Sequence, residues 1–101
     1  MNSSIVIALP KIDDAKKIRT ILNRHGFSVA AVCSTASTAL ASMSELDGGI
    51  LICGYKLTDR YYQDVLEDIP SYFEMLLLAS GRVIAEAPTS VLTVEMPMKV
   101  S

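Results

Sequence analysis

Apolar residues fall along this chain in short unbroken runs, separated by stretches in which they recur every three or four positions. Ile5–Leu9, Phe27–Val32, Ile50–Cys53, Met75–Ala79 and Val91–Val94 are short apolar runs. Runs of this length, bounded by turn residues, read as strands buried on both faces. Between the first two runs, Ile18, Ile21, Leu22 and His25 share one helical stripe, while Lys16, Lys17, Arg19, Asn23 and Arg24 take the opposite face. Asp13 or Asp14 can cap that helix and Gly26 can end it. Thr35–Leu46 reads as a second helix with Ala36, Ala39, Leu40 and Met43 inward, and Tyr61–Ile69 as a third, stopped by Pro70. The pattern over Arg82–Ala87 fits a short edge strand and a stunted helical turn equally well.

Strands that alternate with helices across short loops predict a parallel sheet covered on both faces. Right-handed crossovers then give a flavodoxin-like, doubly wound α/β fold with five parallel strands in the order 2-1-3-4-5. Residues 1–101 form one domain in this reading, expected to be truncated before its last helix and any output domain, because the sequence stops where a fifth helix should begin. Without that helix, apolar side chains near strand five face water. A protein partner or a second copy of the chain is expected to cover them.

Half of the residues are hydrophobic and 20% are charged, a globular balance, and the formal charge of −2 gives no bulk attraction for nucleic acid or an acidic membrane. The N-terminus has no basic start and too short an apolar run for a signal peptide, and no segment is long enough to span a membrane. Cys33, Cys53 and the single His25 have no metal-ligand spacing, so the cysteines read as reduced, buried thiols of a cytoplasmic protein, and no cofactor is expected.

The stretch GGILICGYKLTDRYYQDVL, residues 48–66, resembles the third strand and following loop of bacterial response-regulator receiver domains, which often read D-Y-R-L-P-D and then, after two residues, glycine. Aligned without gaps, Gly54 stands where that family carries its phospho-accepting aspartate, Thr58 where it usually has proline and Tyr62 where it usually has glycine. The resemblance implies further positions. Leu9 and Pro10 replace the acidic pair that holds magnesium, a hard cation that needs carboxylate oxygens. Ala79, followed by Ser80, stands at the switch hydroxyl, and Met96 replaces the lysine before the family's cis-proline, here Pro97. The chain thus resembles a degenerate receiver, or pseudo-receiver. The form G-Y-K-L-T-D is most similar to the receiver-like N-terminal halves of ANTAR-type transcription antiterminators. That resemblance implies a phosphorylation-independent regulatory module of the two-component, antitermination type, which acts by protein contact and is not an enzyme. The RNA-binding helices of such proteins are not among these residues, so this segment alone is not expected to bind RNA.

Other chemistries were weighed on the same residues. Asp13 and Asp14 lie too late for the magnesium pair and read as a helix cap and dipole pair, with a displaced metal site as the other reading. A thiol enzyme built on Cys53 needs an arginine six positions on to surround a phosphate; Arg60 is one position too far and Asp59 occupies the required place. A small flavodoxin-like ligand-binding domain needs a Ser/Thr/Gly-rich loop after strand one, where the chain has Leu9-Pro10-Lys11-Ile12. Lys11, Lys16, Lys17, Arg19 and Arg24 read as a solvated helix face. Tyr55, Tyr61, Tyr62 and Tyr72 are expected around the strand-three loop and helix three, where Tyr55, Tyr61 and Tyr62 suit either an interaction face or the space left by a lost metal site.

Overall fold

The computed structural model describes residues 4–79 and 91–95. Its elements run β1 (Ser4–Ala8), α1 (Ile12–Arg24), β2 (Val29–Cys33), α2 (Ala36–Ser44), β3 (Gly49–Gly54), α3 (Tyr62–Asp68), β4 (Phe73–Ala79) and β5 (Leu92–Glu95). All strand pairs are parallel and the sheet order is β2-β1-β3-β4-β5, the doubly wound topology expected from the pattern of runs. Among the described residues, no helix is long and apolar enough to cross a membrane.

Strand alternation divides the core in two. Val6, Ala8, Leu51, Cys53, Met75 and Leu77 point to the side of α2 and α3, where Ala36, Ala39, Met43, Tyr62 and Val65 complete one cluster. Ile5, Ile7, Leu9 and Ile52 point to the side of α1 and meet Ala15, Ile18 and Leu22. Among the described residues, one helix, α1, covers this second side. Leu76 and Leu78 lie half-buried there, and the β5 residues in register with them, Leu92 and Val94, remain 49% and 45% exposed. Leu92 and Val94 thus present apolar surface at the β5 edge of the sheet.

Several element boundaries differ from the sequence reading. The stretch before β2 leaves Phe27 54% exposed, because the chain is still turning out of α1 there. The Phe27 N–H donates to the Leu22 carbonyl and the Gly26 N–H to that of Asn23, closing the helix with Gly26 at a positive φ that glycine tolerates. Lys11, not Asp13 or Asp14, is the N-cap of α1, and it makes no side-chain cap bond. The two aspartates sit inside the first turn, where they complement the helix dipole. Ile21 is 52% exposed and His25 is exposed at the C-cap, so the inward stripe is narrower than predicted and is carried by Ala15, Ile18 and Leu22. Ser80, Met96, Pro97 and the segment Arg82–Ala87 lie outside the described residues.

Candidate functional site

In this strand order the chain leaves β1 toward one edge of the sheet and β3 toward the other, and ligands of open α/β sheets bind in the crevice at that switch. Here the crevice is a cleft of about 610 Å³, floored by Leu9, Gly54, Leu78 and Ala79, and walled by Ile18 of α1. Asp14, Lys17, Tyr55 and Lys56 supply its polar rim. The structure thus brings Leu9, Pro10, Gly54 and Ala79 together at the C-terminal ends of β1, β3 and β4.

Their contacts are hydrocarbon. A Cβ placed on Gly54 would lie 3.1 Å from Leu9 Cδ2 and 3.4 Å from Pro10 Cδ. The residues at the acidic-pair positions therefore lean into the space that a side chain at Gly54 would use. A magnesium ion wants six oxygens, and these positions offer none from side chains. Among the described residues no group of three His, Cys, Asp or Glu side chains lies close enough to hold a metal. The site does not fit the family's metal.

The β3–α3 loop is held firmly, and by an unexpected residue. Leu57 is buried in the α2/α3 cluster and donates its N–H to the Arg60 carbonyl at 2.7 Å. Thr58 donates its N–H and its hydroxyl to the Ser34 carbonyl at 3.3 and 3.1 Å. A proline, the residue usual at this place in receivers, has no N–H for the first of these bonds. Asp59 accepts from the Ala36 N–H at 2.7 Å and from the Ser37 N–H at 3.2 Å, while Thr35 accepts from the Thr38 N–H at 3.2 Å. The first three N–H groups of α2, which no turn of helix can satisfy, thus all have acceptors. The acid that spoiled a phosphate loop in the sequence is a helix cap delivered from a neighbouring loop.

That geometry carries a prediction. The Ala36 N–H, followed by Ser37, holds the Asp59 carboxyl below the usual carboxylate range. A carboxyl depressed in the folded state stabilises above its unfolded value, near 3.9, and loses that stabilisation as pH falls through the folded value. Asp59→Ala should therefore cost about 1 kcal/mol at pH 7, the typical value of an exposed cap. Urea unfolding should show the gap between variant and wild type closing below about pH 4. A gap that persists in acid would place the effect elsewhere.

Cys53 is buried on the α2/α3 side, and burial pushes its thiol up to about 12. Nucleophilic cysteines need the thiolate and an electropositive surface. Arg60 turns away from Cys53 to donate to Asp68 at 2.7 Å.

The tyrosines separate into three roles. Tyr55 and Tyr61 are exposed and meet edge to face, ring centroids 5.3 Å apart, with Lys56 Nζ 5.2 Å from the Tyr61 ring. Tyr62 is 2% exposed and belongs to the core, so it is not part of a surface. Tyr72 lies at the far end of the sheet beside Phe73, where its carbonyl accepts from Gly49, and is not part of the cluster. Sequence reasoning also passed over Lys17 and Lys56 as parts of one rim. The sequence holds little signal for it, since Lys17 lies mid-helix and Lys56 in the loop after β3, 39 positions apart.

No family model matches the chain, and no curated protein matches it in sequence. Its backbone is similar to that of a solved structure, the anti-anti-sigma factor PhyR from Bartonella quintana, with a TM-score of 0.78 over 96% of this chain at 16% identity. What is shared is the fold. The chain spans 42% of the length of that protein. The likeness supports the receiver-like fold, without singling out the ANTAR branch.

Proposed function

We propose that this chain is a receiver-like regulatory module that signals by protein association and not by phosphoryl transfer. The observation that carries this reading is a contrast along one side of the sheet. At the phospho-acceptor position Leu9 and Pro10 crowd the place of a side chain on Gly54 and give the cleft a hydrocarbon floor, whereas Leu92 and Val94 stand open to solvent further along. Exposed apolar strands flanked by polar residues mark interaction surfaces. The shared fold of an anti-anti-sigma factor supports a regulatory role. The finer class, a response regulator of the antitermination type, draws its support from G-Y-K-L-T-D alone. No residue of the cleft is offered as catalytic.

Magnesium together with a phosphoryl mimic such as beryllofluoride should leave the amide NMR spectrum unchanged. Saturable shifts centred on Gly54 or Ser80 would overturn the phosphorylation-independent reading. Unlike the association itself, this test does not depend on knowing the partner.

A further inference from the structure

α1 and α3 pack on opposite faces of the sheet and carry opposite charge. Between Lys11 and Arg24 five basic residues stand against Asp13 and Asp14, a local excess of +3. From Asp59 to Asp68 four acidic residues stand against Arg60, a local excess of −3. Neighbouring charges reduce this contrast without cancelling it. Glu74, on the side of β4 that faces α1, brings the first surface to +2, and Lys56, over the Tyr61 ring, brings the second to −2. α2 carries no charge between Ala36 and Ser44.

The charges are available for contact. Lys16, Lys17 and Arg24 are exposed on α1, as are Asp64, Glu67 and Asp68 on α3. Among the described residues Asp68 pairs with Arg60, and no ion pair engages Lys16, Lys17, Arg24, Asp64 or Glu67. Each surface also holds an exposed apolar side chain. Lys17, Ile21 and Arg24 fall at i, i+4 and i+7 of α1, one row of the helix, with Ile21 52% exposed between the two cations. Tyr61, the N-cap of α3, is 42% exposed three residues before Asp64. Apolar and aromatic side chains set among complementary charges are what protein interfaces are made of.

A nucleic acid or an anionic membrane would extend past α1 and meet a chain of net charge −2, which disfavours both. The α3 surface of a second copy confines its acid to one short helix. Resting on the association reading above, we infer that copies of this chain associate head to tail, the α1 surface of one on the α3 surface of the next, with Lys17 and Arg24 against Asp64 and Glu67. Surfaces on opposite faces of one sheet cannot both meet the same neighbour, so the contact is heterologous and continues from copy to copy. Exposed ion pairs are individually weak, so the assembly is weak and dissolves in salt.

The test follows sedimentation and concentration-dependent amide shifts of the full chain up to about 1 mM, where contacts this weak become populated. At low salt the species should grow past a dimer, with shifts centred on residues 17–24 and 61–68. Sodium chloride at about 0.5 M should return it to monomer. Two variants remove charge from exposed positions, Lys17→Gln/Arg24→Gln on α1 and Asp64→Asn/Glu67→Gln on α3, and both should keep the wild-type amide spectrum away from the substituted helix. Each alone should associate at least about fivefold more weakly. Mixed in equal amounts, they should form a dimer of one copy of each with close to the wild-type affinity, and stop there, because each keeps one working surface. An α3 variant that associates as the wild type does would mean that α1 meets some other surface, and would overturn the inference. So would a chain that stays monomeric at about 1 mM and low salt. Neither result touches the association reading, whose beryllofluoride test needs no second copy. Self-association that resists salt and is lost on Leu92→Glu would also overturn the head-to-tail contact, and would put the interface at the β5 edge which that reading invokes.

Discussion

Gly54→Asp, the single change that places the phospho-acceptor of receivers in this chain, is expected to destabilise the protein by about 2 kcal/mol or more and to leave it unphosphorylated. The new Cβ begins 3.1 Å from Leu9 Cδ2 and 3.4 Å from Pro10 Cδ, so the side chain starts crowded against hydrocarbon at the floor of the cleft. Gly54 is buried, so this is charge taken from water, and Lys17 and Lys56, with exposed side chains, offset only part of the cost. Desolvation raises the folded-state pKa of the introduced carboxyl above its unfolded value. The penalty is therefore present at neutral pH and disappears as pH falls below about 3.9, where the acid is neutral in both states. For a domain of this size the loss corresponds to a melting temperature roughly 10 °C lower. Gly54→Ala is the control. It asks only that a leucine methyl yield a few tenths of an ångström, and should cost less than about 1 kcal/mol. Labelling of Gly54→Asp by a small phosphodonor would show that some carboxylate, Asp14 being the nearest candidate on the rim, can assemble a metal site after all.

The parts of this structure that were legible in the sequence are those fixed by local pattern. Ile5–Leu9 and Ile50–Cys53 read as buried strands because both of their faces are covered, and a central parallel strand shows that as an unbroken apolar run. Gly26 and Pro70 read correctly as helix ends because the reasons, a positive φ and a missing N–H, act within a few residues. The exposure of Ile21 and His25 is not legible, because a helical period identifies a stripe but not how much of its width meets the sheet; only Ala15, Ile18 and Leu22 of α1 join the cluster on that side. Asp59 was misjudged for a different reason. Its partner N–H groups are 22 and 23 residues away, and nothing in L-T-D says which helix start the loop will reach. The crowding of Gly54 by Leu9 and Pro10 is likewise a contact between two strand ends, visible as substitution in sequence and as interlock only in space.

Tyr62→Gly, the change to the glycine usual in receivers, should cost about 3–5 kcal/mol in urea unfolding, much of the stability of an ordinary domain. The ring is 2% exposed and sits at the start of α3 among Ala36, Met43, Leu57 and Val65 of the α2/α3 cluster, with the Tyr55 ring centroid 6.1 Å away. Removing it deletes a large apolar area and leaves a cavity between two short helices and the sheet, and glycine adds its own backbone entropy cost in the first turn. Tyr62→Phe keeps the ring and should keep most of the stability. The comparison decides between the two readings of the tyrosines. If Tyr62 were part of a solvent-facing patch, Tyr62→Gly would change stability by no more than about 0.5 kcal/mol, as surface substitutions do. A loss of the expected size instead means that the core is built around an aromatic side chain beside the loop that carries phosphorylation in receivers. Receiver chemistry could then not be installed one residue at a time, because Leu9 and Pro10 crowd the position of Gly54 on one side of the sheet while Tyr62 occupies the packing beneath its loop on the other.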